Sequence, residues 1–463
     1  PGAGAGDWPG PDAARLSDPA PPDAGRPADP ALPDAGGGAG DGVPAPAPPD
    51  PGEAANSHAD TPAGEDAASR LELTAGPWGN GGICACRQPD GPVVLLSGAI
   101  PGERVVAEVT AKQRSFWRAQ TIEVLEPSAD RVPPPWAEGL ALGAADWLYL
   151  ASEAARRAKA EVVSGLLRHA TGEQLQLVVE PLGDGGPLGW RTRIELSVDG
   201  EGRAGMFAAG SQRFRPLQAM PLAVPAIEEL GLFDRRWPAG SRLTAVAPSA
   251  GRAFYWSDAV RGVPRRREIV RAAGLEHRYE LAGGGFWQAH RLAPKVLVEA
   301  VTRALRPGPG QSVWDLYAGA GLFTLPLAAA GARVSAVEGS RQAVRDLLGN
   351  IRRPGLELDR ALAMSVAKAL RTDLLGIRPT AVLLDPPRSG AGRAVIEAVA
   401  LRGPDRVAYL SCDPAALARD LAILLAKGHR LVELRAFDLF PGTHHVEVLA
   451  VTEGRDRCRR AGN

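Results

Sequence analysis

The chain is poor in cysteine. Its 463 residues include only Cys84, Cys86, Cys412 and Cys458, too few and too scattered for the disulfide framework of a small secreted domain. The CxC pair at 84 and 86, with no second cysteine pair, makes a poor metal site. Long hydrophobic runs are missing as well: no stretch of about 18 or more uncharged apolar residues occurs, and the N-terminus lacks the basic-then-apolar order of a signal peptide. These absences set the expectation of a cytoplasmic protein with no membrane span. Net charge is also absent, with 53 Lys and Arg against 53 Asp and Glu, but its distribution is uneven. Residues 1–68 hold twelve acidic and two basic side chains, which leaves the rest of the chain basic by ten. That excess permits a nucleic-acid partner without establishing one.

What is present divides into segments. Residues 1–68 are almost entirely Pro, Ala, Gly and Asp, with Trp8 the only aromatic residue. Such a composition cannot bury enough apolar surface to offset chain ordering, so a disordered, solvating tail is expected. Residues 69–128 turn to short alternating runs separated by Gly and Pro, as in "ICACRQ" and "PVVLLSGAIPGERVVAEVTAKQ", the pattern of a small β-barrel. The turn "GAIPGERVVAEV" is similar to that of the small RNA-binding barrel called TRAM. Lys112, Arg114, Trp117 and Arg118 interleave basic and aromatic side chains, which suits phosphate contact with base stacking but also a solvated turn with Trp117 in the core. Residues 129–290 combine a helical run, "LASEAARRAKAEVVSGLLRH", with alternating segments such as "WRTRIELSVDG". A central α+β domain with an antiparallel, partly exposed sheet is expected there.

Residues 291–455 change to short apolar runs each followed by a turn and a helix-like stretch, the mark of a doubly wound parallel α/β sheet. Ligands of such sheets lie outside the carboxyl ends of the strands. After the first run stands Asp315-Leu-Tyr-Ala-Gly319-Ala-Gly321, where two glycines allow close backbone approach. Glu338 follows the second run, seventeen residues past Gly321, at a spacing that suits ribose hydroxyls. NAD and S-adenosylmethionine both call for these features, but Thr324 stands where the third glycine of a dinucleotide fingerprint belongs. Asp385-Pro-Pro-Arg388 ends a later run, two prolines holding the backbone extended beyond a carboxylate. Residues 456–463 are expected to form a short C-terminal tail.

Taken in order, "DLYAGAGLFTLPLA", "LLDPPRSG", "YLSCDPAALARDL" and "FPGTHHVEVLA" resemble the class I S-adenosylmethionine-dependent RNA 5-methyluridine methyltransferases that carry an N-terminal TRAM domain. The likeness runs from about 70 to 453. It implies a Rossmann-like class I methyltransferase domain behind a TRAM/OB-like barrel and the central α+β domain. It also implies RNA as partner, ribosomal or transfer, and methylation of uridine C5 through a covalent adduct. Uracil C5 is too weak a nucleophile to take a methyl group unaided, so a thiolate must first add to C6 and a base must later remove the C5 proton. The resemblance assigns these roles to Cys412 and Glu447, and cofactor contact to Gln288, Tyr317, Glu338 and Asp385. The start of a helix at Pro414 leads us to expect a lowered Cys412 pKa. Arg388 suits either an RNA phosphate or a salt bridge. His444 and His445 lack a third ligand, so no catalytic metal is expected.

Two departures from the family pattern stand out. Relatives with an iron-sulfur cluster carry four cysteines in the segment equivalent to "RVPPPWAEGLALGAADWLYLA"; Trp136 stands here instead, so no cluster and local packing in its place are expected. Leu322 occupies a position where some relatives have Asn. An RNA 5-methylcytosine enzyme is the main alternative, although Pro387 rather than cysteine follows Pro386; a catalytically inactive RNA-binding relative is another. An adenine N6-methyltransferase would favour an aromatic residue at Arg388. A monomer is expected.

Overall fold

The structure is a computed structural model and describes residues 69–454, apart from 89–90, 173, 260–261, 354, 357 and 373. The tails expected at 1–68 and 456–463 lie outside the described residues.

Period-two alternation builds the first sheet. Its strands are β1 (Arg70–Thr74), β2 (Trp78–Gly79), β3 (Ile83–Cys86), β4 (Val93–Ser97), β5 (Arg104–Lys112) and β6 (Phe116–Glu126), in the order β1-β5-β6-β4-β3-β2. Cys84 and Cys86 share the inward face of β3 and pack with Leu73, Val94, Leu96 and Val105, as small hydrophobes do. The turn between β4 and β5 needs positive φ at Gly98 and Gly102. Glu103 closes that turn from inside: it is 1% exposed and accepts from Ile100 N, Ser128 N and Arg131.

Two helices follow, α1 (Ala137–Leu142) and α2 (Ser152–Thr171), then β7 (Val179–Pro181). An antiparallel five-stranded sheet comes next, made of β8 (Arg193–Val198), β9 (Ala204–Phe207), β10 (Phe214–Pro216), β11 (Arg242–Val246) and β12 (Phe254–Ser257), with α3 (Pro225–Glu228) between β10 and β11. Its inner face packs on Trp136, Leu142 and Leu148. A hairpin, β13 (Arg266–Ala272) and β14 (Leu275–Leu281), turns on Ala273 and Gly274. Both have positive φ, as a two-residue turn matched to strand twist requires.

The remaining elements are α4 (Ala293–Leu305), β15 (Ser312–Leu316), α5 (Thr324–Ala329), β16 (Arg333–Glu338), α6 (Arg341–Ile351), β17 (Leu358–Ala363), α7 (Val366–Arg371), β18 (Ala381–Leu384), α8 (Arg393–Arg402), β19 (Arg406–Ser411), α9 (Pro414–Ala426), β20 (Arg430–Asp438) and β21 (Glu447–Glu453). They form an eight-stranded sheet in the order β17-β16-β15-β18-β19-β21-β20-β7. β15, β18 and β19 are buried along their whole length, because helices cover both faces of a parallel sheet. One face packs against α4, α5 and the β13–β14 hairpin, the other against α2, α7, α8 and α9.

Two features depart from the sequence reading. The sheet is mixed: β21 runs antiparallel to both β19 and β20. The connection from β20 to β21, residues 439–446, is too short for the dozen or more residues of a parallel crossover. Packing also crosses the boundary set at 290. The apolar stripe of α2, with Val163 and Leu167, packs in the same core as Leu417 and Leu421 of α9. β7 pairs with β20, where Glu180 holds Arg435 through two bonds of 2.8 and 2.7 Å. Among the described residues, no helix is long and apolar enough to cross a membrane.

Candidate active site

Strand register gathers the candidate residues. Leu316, Val337 and Leu384 lie side by side across β15, β16 and β18, and Leu384 pairs with Tyr409 of β19. Tyr317, Glu338 and Asp385 therefore emerge along one edge of the sheet. Because β21 is reversed, it brings its first residue to that edge: Ser411 pairs with Val448, so the next positions outward are Cys412 and Glu447.

The glycine turn after β15 is held from several sides. Tyr317 adopts φ 70, and the N–H groups of Tyr317 and Ala318 both donate to Val337 O, at 2.9 and 3.0 Å. Left-handed backbone at a non-glycine residue is strained, and strain of this kind concentrates at functional sites. Glu338 accepts from Gly319 N at 3.0 Å and Ser340 N at 2.7 Å, so its carboxylate spans the first turn and the next. Asn350 of α6 donates to Ala320 O at 3.3 Å and accepts from Glu280 N at 2.7 Å. Thr324 also finds its reason here: its hydroxyl donates to Asp315 Oδ2 at 2.5 Å, a bond that glycine could not make.

Leu322 is 8% exposed and packs in the core, while its carbonyl accepts from the Tyr279 hydroxyl at 2.9 Å. Tyr279 packs against Trp287, ring centroids 5.0 Å apart. That contact ties the segment carrying half-buried Gln288 to the glycine turn.

Electrostatically the edge is crowded with acid. Asp315 is fully buried and its Oδ1 has no hydrogen-bond partner; burial pushes its pKa up to about 7. Burial, then the charge of Asp315, also raises Asp385. Burial, then Asp385, raises Glu447 well above the usual carboxylate range. Such a cluster favours a ligand bearing positive charge. The Cys412 thiol departs from expectation. It is pushed up to about 12, first by burial and then by Glu447, with Arg388 pulling the other way. Asp413 does cap α9, accepting from Ala416 N at 2.7 Å, but a helix terminus is a smaller influence than desolvation beside a carboxylate.

Several residues with a part in this edge were not legible beforehand. Asp420, on the buried face of α9, accepts from Ala391 N at 2.8 Å, Gly392 N at 3.1 Å and the Tyr409 hydroxyl at 2.7 Å. Arg419 beside it donates to Ser389 O at 2.9 Å. Together they fix the loop that carries Arg388. The one signal in the sequence is an acidic residue inside the apolar run "LARDLAILL". His444 bonds Asp146 and His445 faces Arg388. No group of three or more His, Cys, Asp or Glu among the described residues could hold a metal ion.

Away from this edge, Lys112 lies over the Trp117 ring at 5.0 Å and Arg118 over Phe116 at 5.6 Å. Trp117 also packs against the core of the first sheet, partly buried. Trp136 is 7% exposed and lies against Gly139.

A sequence model of the tRNA (Uracil-5-)-methyltransferase family matches residues 265–453. An uncharacterized RNA methyltransferase of Streptomyces coelicolor is 34% identical over 426 residues, covering 82% of this chain and 92% of that protein. RlmD of Halomonas elongata, a 23S rRNA uracil-C5 methyltransferase, is 32% identical over 450 residues, covering 84% of this chain and 91% of its own. Among solved structures, the tRNA (uracil-54, C5)-methyltransferase of Pyrococcus abyssi with S-adenosyl-L-homocysteine matches with a TM-score of 0.59. Identity there is 19%, over 80% of this chain and 99% of the other, so the likeness is one of fold.

Proposed function

The chain belongs to the family of S-adenosylmethionine-dependent RNA uracil-C5 methyltransferases, and from that premise we propose that Cys412 is its nucleophile and Glu447 its general base. The observation that carries this is the β19–β21 register, which brings the two residues out at one sheet edge. The cofactor supplies an electrophilic methyl group on a positively charged sulfur. An unpartnered buried carboxylate oxygen on Asp315 and the raised acids around it fit a cationic ligand. Tyr317, Glu338, Asp385 and Gln288 would hold it, Glu338 through the ribose hydroxyls.

In this scheme the Cys412 thiolate forms a bond to C6 of a uridine flipped into the pocket. The C5=C6 electron pair moves towards the C4 carbonyl, giving an enolate whose C5 accepts the methyl group. Glu447 then takes the C5 proton, C5=C6 re-forms, and the thiolate leaves. A raised pKa makes the Glu447 carboxylate a stronger base than a solvated one.

Ribosomal RNA is the substrate we propose, because the 23S rRNA enzyme matches this chain along 91% of its length. The strands of 69–128 would act as a TRAM-like RNA-binding barrel ahead of the central domain, and the enzyme as a cytoplasmic monomer. The test is incubation with tritiated cofactor and, separately, ribosomal and transfer RNA, followed by nucleoside analysis. Label in 5-methyluridine of ribosomal RNA is expected. Label in 5-methylcytidine would overturn the reaction, and label confined to transfer RNA would overturn the substrate.

A further inference from the structure

The two histidines of "THHVE" have no role in the chemistry above, yet they lie in the loop that leads into Glu447. His444 Nδ1 is 2.6 Å from Asp146 Oδ2, and its backbone N–H donates to Asp146 Oδ1 at 3.2 Å. Its ring lies against that of His445, centroids 4.0 Å apart, and Phe440 meets His445 edge-on at 5.9 Å. His445 Nε2 in turn is 3.3 Å from Arg388 Nη2. A guanidinium can only donate, so Nε2 must be the acceptor and the His445 ring neutral, with its proton on Nδ1. Arg388 stands three residues beyond Asp385, in the loop between β18 and α8, and β18 is the neighbour of β19, the strand that leads into Cys412.

Asp146 reaches this loop from a distant part of the chain. The next residue, Trp147, donates its backbone N–H to Gly442 O at 2.9 Å and its indole N–H to Gly82 O at 3.2 Å. A Cβ on Gly82 would lie 2.6 Å from His444 Cβ, so no larger residue fits between the first sheet and the loop. Three segments therefore converge on the two imidazoles.

We propose that His445 is a positioning residue for Arg388, clamped by the Asp146–His444 pair, and that it holds the guanidinium where its charge offsets the Cys412 thiolate. The proposal rests on the reading of Cys412 as nucleophile. Burial, followed by His444 and Arg388, pushes the His445 pKa down to about 3, which keeps its ring an acceptor at any working pH. Arg388 lowers the Cys412 pKa, against burial, Glu447, Asp385 and Asp413. Without an acceptor at Nε2 its guanidinium is free to turn to solvent.

The test compares His445→Phe, His445→Gln and Asp146→Asn in the full chain. It measures kcat, both KM values and the rate of adduct formation on RNA containing 5-fluorouridine. Each pKa unit of lost thiolate stabilisation is a factor of about ten in thiolate population, so His445→Phe should slow adduct formation severalfold with both KM values little changed. His445→Gln, whose amide oxygen reaches the Nε2 position, should recover most of the rate. A filler role would instead leave the rate intact in all three while lowering stability, and that result overturns the proposal. Should His445→Phe fail to fold, the rate of Cys412 alkylation at a fixed, moderately alkaline pH in Asp146→Asn decides: a fall supports the clamp, no change refutes it. An adduct that survives Cys412→Ala would sink the nucleophile assignment itself, a separate failure.

Discussion

Ser411 of β19 and Val448 of β21 are partners across an antiparallel pair, and the geometry of the site follows from that one register. A parallel strand can offer only its carboxyl end to the ligand edge of the sheet. The reversed β21 offers its amino end there, which brings Glu447, 6% exposed, out beside Cys412. A one-residue slip of β21 would turn Glu447 to the opposite face of the sheet and part it from Cys412.

Cys412 and Glu447 should separate cleanly when tested on RNA. Cys412→Ala cannot form a bond to C6 and should give neither product nor adduct. Glu447→Gln keeps the nucleophile but cannot take the C5 proton, so methylated RNA should remain attached to the protein. Turnover should fall by about a hundredfold or more, the usual weight of a general base. Gel electrophoresis in denaturant reads the adduct directly. Release of product at the wild-type rate by Glu447→Gln would assign proton removal elsewhere.

How much of this was legible beforehand varied by residue, for physical reasons. Asp385 and Cys412 could be found because an apolar run broken by Asp-Pro must end a strand, and strand ends in an α/β sheet face the ligand. The direction of β21 could not be read, since a strand's alternation is the same in either sense. Asp420 and Asn350 escaped because a lone polar residue in a helix ordinarily belongs to its solvated face; here each is buried and bonded to a loop on another element. The raised Cys412 pKa could not be read either, because helix position is local, whereas burial beside Glu447 depends on a strand distant in sequence.

Stability should depend on pH through the buried acids. Asp315 has a reference pKa of 3.8 and is raised to about 7 in the folded protein. Between those values the folded state binds more protons than the unfolded one, so stability is full below about pH 4 as far as this group is concerned and is lost as pH rises through about 7. Asp385, raised by the same burial, adds in the same sense. The melting temperature of the free protein should therefore carry a downward contribution across this window, and Asp315→Asn should flatten it. An unchanged slope in that variant would remove Asp315 as its source.

Tyr317 offers a test of backbone strain. At most positions glycine is less stable than alanine by roughly 0.5–1 kcal/mol. With φ at 70 the order should reverse, since left-handed backbone costs a residue with a Cβ roughly 1–2 kcal/mol. Tyr317→Gly should thus be more stable in urea than Tyr317→Ala by about 1 kcal/mol, although both lose the partly buried ring and should bind cofactor more weakly. Equal or inverted stabilities would mean that the turn relaxes out of this conformation.

Gly139 and Trp136 decide how the segment without cysteines is held. Gly139 lies in α1, where replacing glycine by alanine ordinarily gains about 1 kcal/mol of helix propensity. Here a Cβ would fall 1.9 Å from Trp136 Cε3, and the indole is 7% exposed with little room to retreat. Overpacking costs about 1–3 kcal/mol, so the clash should outweigh the propensity and Gly139→Ala should be destabilising. Trp136→Leu removes the ring and leaves a cavity. In that background the added methyl meets space instead of an indole, and Gly139→Ala should become neutral or stabilising. A double-mutant cycle in urea measures this change of sign; the same loss in both backgrounds would show that the Trp136–Gly139 contact does not set the packing of the segment.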